Sequence, residues 1–318
     1  MKLSNLTPRF WFAAALVVGT LLLGLVGPLI VRTDPNEVIG GLYDPPNGSS
    51  IAMWLGTDNE GQSVMANLVL GIRTSLWVGL VAGAVATLVG VIIGLISGYV
   101  GGLVDDLLTG LTNIALAIPT LIVIILVSVA LPSRTSTILA LVIGFTAWPW
   151  LARAVRAQSS SVRTREHIDV ARLSGARSAS ILAWDVLPYL LSYVVMAFVL
   201  QVSAAILFEA TLSLLGLGPS GSVSLGIMLY WAIAWGSIRT GAWWAFLPPT
   251  IMLSIISFSL LLLQSSLDEV FNPRLRRGKL RRRRAAGEER ADAQLAAASP
   301  QAGEAPALET PVTAGGGR

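Results

Sequence analysis

The chain has 318 residues, of which 54% are hydrophobic and 13% charged, with a formal net charge of +4. A soluble globule of this size needs more charge to coat its surface, so the composition points to a polytopic membrane protein. With no cysteine and a single histidine, disulfide scaffolds, thiolate metal centres and histidine clusters are excluded. Lys2 and Lys279 are the only lysines, and neither stands in the Gly-x-x-x-x-Gly-Lys-Ser/Thr pattern of a nucleotide-binding P-loop.

The first apolar run covers residues 10–31 behind Lys2 and Arg9. It is too long for a signal-peptide core and lacks a small-x-small cleavage site, so it is read as a retained first span. Residues 33–74 are rich in turn chemistry, as in Asp34-Pro35-Asn36 and Asp44-Pro45-Pro46-Asn47-Gly48. Within them, residues 65–72 read as an amphipathic segment at the membrane surface. The second span is placed at 75–97. Its glycines recur at four-residue spacing, Gly79 and Gly83, then Gly90, Gly94 and Gly98, a stripe that admits a closely packed neighbour. A third span at 107–131 carries Pro119 and should kink there. The fourth is placed at 136–154, the fifth at 189–215 and the sixth at 242–267. The sequence thus predicts an all-α membrane protein with six transmembrane helices, a permease domain at 10–273, a short N-terminal segment at 1–9, and a tail at 274–318. The tail opens with a basic run at 281–284 and then becomes too poor in large apolar residues to build a core, so disorder is expected there.

Basic residues set the expected orientation. Lys2 and Arg9, six arginines between 153 and 177, and ten basic residues in the tail fall on one side of this topology. Only Arg32, Arg73, Arg134 and Arg239 fall on the other. The positive-inside rule then puts both termini in the cytoplasm. Because the basic residues flank apolar runs, they argue for lipid and against nucleic acid as the partner. The turn near Gly98 departs from the pattern: it is expected inside yet carries Asp105 and Asp106.

Residues 155–188 are too polar to span and form a loop on the cytoplasmic side. Residues 166–173 read as a short helix with Ile168, Ala171 and Leu173 on one side. Gly175 suits its C-terminal turn, Ser178 can cap a second short helix, and Pro188 fits the first turn of the next span. His167 reads as a surface residue without chemistry.

Asp169-Val170-Ala171, three residues, Gly175, and then Leu187-Pro188 resembles the "EAA" loop of ABC importer permeases, with Asp in place of Glu and Val in place of the first Ala. Three further stretches and a C-terminal motif resemble the dipeptide/oligopeptide branch, specifically its C-type subunit. They are the stretch from Trp54 through Gly56-Thr57-Asp58 to Gly61, Gly98-Tyr99-Val100-Gly101-Gly102 with Asp105, Glu209-Ala210-Thr211-Leu212-Ser213-Leu214-Leu215-Gly216-Leu217-Gly218, and Asn272-Pro273-Arg274-Leu275. The resemblance covers about residues 10–277. Gly110 and Asn113 stand where that branch often carries Arg and Asp, and Ser224-Leu225-Gly226 stands for its Ser-Trp-Gly.

The resemblance implies a type I ABC importer permease fold in a bacterial cytoplasmic membrane. It implies an ATPase-coupling loop containing Glu166, Asp169, Ala171, Gly175, Leu187 and Pro188. It also implies a homologous B-type permease, two ATPase domains that bind ATP and magnesium, a substrate-binding protein and a peptide substrate. The chain itself would hold no cofactor and catalyse no reaction. Nickel import is the alternative within the class, and a scaffold or an intramembrane enzyme the alternatives outside it. The chain lacks an intramembrane His, Cys or Lys for catalysis. Glu209 at membrane depth invites two readings, a pathway or outer-gate contact and a structural carboxylate that holds the outer loop. Asn113 is a further pathway candidate. Trp231, Trp235, Trp243 and Trp244 read as an interfacial belt.

Overall fold

A computed structural model describes residues 8–271; the expected disordered tail and basic run lie outside them. The described residues are almost entirely helical. They comprise α1 (Pro8–Ile30), α2 (Val64–Val100), α3 (Gly102–Ala117), α4 (Thr120–Ala130), α5 (Ser136–Arg163), α6 (Glu166–Leu173), α7 (Ser178–Ile181), α8 (Leu187–Leu214), α9 (Leu225–Ala234) and α10 (Trp243–Phe271). Five helices are long and apolar enough to cross a membrane. A sixth crossing exists if the bent pair α3–α4 counts as one.

The longest single helix is α2. It has 37 residues and at 1.5 Å per residue runs for about 55 Å, from one end of the molecule to the other. Residues 65–72 are its first turns and are mostly buried, so they are not the surface segment their pattern suggested. Ser63 caps the helix by accepting a hydrogen bond from the Ala66 amide at 3.1 Å. Its own hydroxyl donates to the Ala52 carbonyl at 2.6 Å. The capping site is therefore tied into the preceding loop, and α2 begins at Val64, ahead of the span expected from residue 75.

The glycine stripe of α2 serves two neighbours in succession. A Cβ on Gly83 would stand 2.6 Å from Val202 Cγ2 of α8, and one on Gly94 would stand 2.6 Å from the Ala152 carbonyl oxygen of α5. Gly79 likewise faces Ile206 of α8, and Gly98 faces the Arg156 carbonyl and Ser159 of α5. The α5 side reciprocates with Gly144, whose added Cβ would meet Val85 at 2.8 Å. Backbones thus approach to a distance that only hydrogen at Cα permits, which is how membrane helices gain packing without a hydrophobic driving force between them. The α2–α5 pairing is the most extensive in the molecule.

The third span is broken rather than kinked. Ile118 is extended (φ −96°, ψ 126°), as a residue ahead of proline prefers, and the two halves meet at 82°. Helix α5 runs nine residues past the expected end of its span, to Arg163. The first residues of the expected loop, Arg156 among them, are therefore helix. At the other end of that loop, α7 passes through a π-helical turn at Leu182–Val186 into α8 without a break.

The α2 packing yields a paired expectation. Gly94→Val forces apart two backbones and should destabilise the fold by about 1–3 kcal/mol. Gly110 of α3 has open space around it, so Gly110→Ala should be neutral or stabilising by about 0.5–1 kcal/mol. Thermal unfolding in mild detergent separates the two; equal shifts would mean that the α2 stripe is not a contact.

Candidate functional site

At the end of the molecule where α2 finishes, α6, α7 and the π turn form a helical hairpin. Helix α6 closes with two hydrogen bonds, Gly175 N to Arg172 O at 3.0 Å and Ala176 N to Ala171 O at 3.2 Å. This is a Schellman ending, and it requires the positive φ of 78° found at Gly175. No atom crowds Gly175, so its conformation, not its neighbours, selects glycine.

One side of the hairpin is anchored. Ile168, Ile181, Val186 and Leu190 are buried against Val91, Leu95 and Tyr99 of α2 and Leu151, Val155 and Val162 of α5. Arg172 spans the seam: its guanidinium lies 5.2 Å from the Tyr99 ring centroid, and it donates to Asp169 Oδ1 at 3.1 Å. His167 stacks on Tyr189 with centroids 5.0 Å apart, and the Arg165 guanidinium lies 5.2 Å from the same ring. The other side is open and apolar: Leu173 is 89% exposed, Trp184 79% and Val170 62%. Leu173 therefore does not share the inner face with Ile168 expected from the sequence: five residues on, it stands about 140° round the helix. It lies in the last turn, where the chain leaves the core for the glycine.

The expected coupling residues divide between the two sides. Glu166, Asp169, Gly175 and Pro188 are exposed, whereas Ala171 and Leu187 are half-buried against the core. Ala171 thus faces its own membrane helices more than a partner. Ser178 is the first residue of α7 and makes no side-chain cap; Arg177 holds the cap position instead.

Sequence reasoning missed an ion pair just above this hairpin. Arg156 of α5 grips Asp105 of α3 with Nε to Oδ1 at 2.5 Å and Nη2 to Oδ2 at 2.7 Å. Ser97 and Thr109 also donate to Oδ1, at 2.5 and 3.0 Å. The acidic turn that broke the charge pattern is neutralised by an arginine that the loop assignment had placed elsewhere. Nearby, Arg153 donates to Asn113 at 2.8 Å. At Asn113 the structure thus has a hydrogen bond from a charged guanidinium to a neutral amide, beside the Asp105–Arg156 ion pair.

At the opposite end, Glu209 is fully buried. Its carboxylate accepts from Ser75 of α2 at 3.0 Å, Ser213 of α8 at 2.7 Å and Ser224 at 2.6 Å. Ser224 also caps α9, accepting from the Ile227 amide at 3.1 Å. Ser75 accepts from the Leu225 amide at 3.3 Å. Glu209 is a strut between α2, α8 and α9 and meets no open pathway within this chain; of its two readings, the geometry matches the structural carboxylate. Trp244 leaves the expected belt to donate to the Thr57 carbonyl at 3.0 Å, while Trp231, Trp235 and Trp243 remain exposed.

The segment at 33–63 lies at this same end. Asp58 organises it, accepting from the amides of Glu60 at 2.9 Å and Gln62 at 3.0 Å and from Asn67 Nδ2 at 3.1 Å. Burial nevertheless pushes the Asp58 carboxyl above the usual carboxylate range.

A membrane bundle with a broken third span, and with a short helical hairpin anchored to it from beyond the spans, is the architecture of an ABC importer permease. One solved relative in fold is the MetNI methionine ABC transporter in an inward-facing conformation, at a TM-score of 0.50 and 19% identity over 64% of this chain and 97% of that one. In sequence, the chain belongs to the family of binding-protein-dependent transport system inner membrane components, whose pattern matches residues 90–277. A putative peptide transport system permease of Brucella suis biovar 1 is 31% identical, covering 84% of this chain and 88% of that protein. The dipeptide permease DppC of Bacillus subtilis is 30% identical, over 80% and 78%. The oligopeptide permease OppC of the same organism is 29% identical, over 82% and 84%. The chain is therefore a permease subunit of an ABC importer, seated in the membrane.

Two outcomes test the struts. In a double-mutant cycle, Asp105→Asn with Arg156→Met should show a coupling of about 0.5–3 kcal/mol in thermal stability, against near zero if the two groups act independently. Ser224→Ala should cost about 1–3 kcal/mol, since it leaves a buried Glu209 oxygen with one donor fewer and uncaps α9. Limited proteolysis within 216–241 should accelerate in step.

Proposed function

We propose that the chain is the C-type permease of a dipeptide or oligopeptide importer. It pairs with a homologous B-type permease to form the pathway, and a binding protein delivers peptide to the end bearing residues 33–63. Two ATPase domains, which bind ATP and magnesium, dock on the α6–α7 hairpin. Both termini lie on the ATPase side. Peptide rather than nickel as cargo rests on the names of the relatives above, all of them peptide permeases.

The observation that carries the coupling reading is the two-sidedness of the hairpin. Ile168, Ile181 and Val186 fix it rigidly to α2, α5 and α8, while Val170, Leu173 and Trp184 leave apolar surface exposed beyond the spans. An exposed apolar cluster in an aqueous compartment marks a protein interface. A partner that pushes on this cluster pushes on three membrane helices at once. ATP binding that draws the ATPase domains together would then tilt α5 and α8 about α2 and alternate access between the two faces. Glu166, Asp169, Gly175 and Pro188 belong to the exposed rim of the contact, and Ala171 and Leu187 to its anchored base.

Affinity purification of the transporter from its native membrane tests this reading. A second permease and an ATPase should copurify, with ATP hydrolysis stimulated by peptide and binding protein together. Gly175→Asp, which forces an unfavourable left-handed conformation on a side chain, and Leu173→Asp should each insert normally and weaken ATPase association by more than about tenfold, the loss of one interface hot spot. A chain that purifies alone and tolerates both substitutions would sink the coupling reading.

A further inference from the structure

A cavity of about 740 Å³ opens at the end opposite the hairpin, between the 33–63 segment, the start of α2, the α8–α9 loop and α9. Its size falls in the range of small-ligand sites. Asp58, Glu60 and Asn67 line one part of it, and Tyr230 and Trp231 another. Arg134 is the sole cation among its lining residues.

The acceptors here are undersupplied. Asn67 is 5% exposed, and its Oδ1 has no hydrogen-bond partner among the described residues. Its amide nitrogen is spent on Asp58 and Gln62, at 3.1 and 3.5 Å, so the oxygen is an acceptor left without a donor. The Glu60 carboxylate receives one neutral donor, Gln62 Nε2 at 2.9 Å. Neither Asp58 nor Glu60 forms an ion pair among the described residues. Burial raises the Asp58 carboxyl even though it accepts three hydrogen bonds.

A buried orphan acceptor flanked by two carboxylates without a countercharge is complementary to a group with positive charge and several N–H donors. A primary ammonium supplies three donors and one charge. Tyr230 and Trp231, which pack edge to face at 5.1 Å, add aromatic side chains to the lining, a residue type that attracts cations. We infer that this cavity receives the α-ammonium end of the peptide as it leaves the binding protein, with Glu60 and Asn67 Oδ1 as its acceptors and Asp58 holding the turn that presents them. A zwitterionic peptide also finds Arg134 in the same cavity for its carboxylate. The inference rests on the peptide reading above and deepens it: the permease itself would check for a free amino terminus.

The test uses the assembled transporter in lipid nanodiscs without its binding protein, with trialanine, N-acetyl-trialanine and propylamine as probes read by saturation-transfer NMR. Trialanine should receive at least about threefold more saturation than its N-acetylated form, the equivalent of one hydrogen bond. Glu60→Gln, isosteric and at an exposed position, should erase that difference, and Asn67→Leu should act in the same direction in complexes that copurify intact. Equal signals from the two peptides, or signals indifferent to Glu60→Gln, overturn the site. So does a Glu60→Gln effect confined to the concentration of loaded binding protein needed for half-maximal ATPase stimulation, which would make the cavity a protein-docking surface. Trialanine uptake by the wild-type transporter with its binding protein is measured alongside. Uptake without a Glu60-dependent signal removes the site and leaves the peptide reading standing. A Glu60-dependent propylamine signal without peptide uptake keeps the ammonium site and removes the peptide reading.

Discussion

Direct backbone contact along α2 is the constraint on which the rest of the structure depends. In hydrocarbon, apolar side chains gain little by meeting one another instead of lipid, so helices are held by close van der Waals packing and by the few polar bonds they share. Five glycines on one stripe let α8 pack against the first half of α2 and α5 against the second. With both neighbours locked to a single rod, the two ends of the molecule are in fixed register. The Glu209 cluster sits at the α2–α8 contact and the Asp105–Arg156 pair beside the α2–α5 contact. Polar ties therefore occur where the backbones are already closest, and the local packing keeps both partners in place.

Much of this was legible because membrane spans announce themselves. Long apolar runs, proline in a span and glycine at four-residue spacing each have one dominant physical meaning in lipid. The hairpin was legible for a different reason: a Schellman ending needs a residue at positive φ, and Gly175 supplies it. Where reading failed, the cause was tertiary. Residues 65–72 look amphipathic because their polar positions, such as Asn67 and Ser75 just beyond, bond to other segments instead of facing water. The fourth span is expected to end at residue 154, between Arg153 and Arg156, because charge is costly in lipid, yet Arg156 is neutralised by Asp105, some fifty positions earlier in the sequence. No window along the chain contains both members of that pair.

Leu173 and Trp184 show the converse limit. Periodicity assigns a residue to a face, but not the face to a partner. Leu173, five residues after Ile168, stands about 140° round the helix from it and points away from the core, in the last turn before the chain reverses at Gly175. A cluster of exposed apolar residues outside both core and spans marks a surface that a partner can cover. That surface became visible only once the anchoring residues on the opposite side had been located.

The two ends differ in how they are tied to the rod, and the difference suits an importer. At the hairpin end the seam is hydrophobic, with Ile168, Ile181 and Val186 buried among residues of α2 and α5. Such a joint transmits force in any direction while tolerating small rotations, because its energy varies slowly with orientation. At the other end the ties are hydrogen bonds of a carboxylate to three hydroxyls, which have defined directions and lengths. On the proposed coupling, motion imposed at the hairpin would tilt α5 and α8 about α2, whereas shearing α8 from α9 would strip donors from the buried Glu209 carboxyl. On that coupling, a push at the hairpin would reach the three helices together, and the solute end would follow as one unit with its cavity intact.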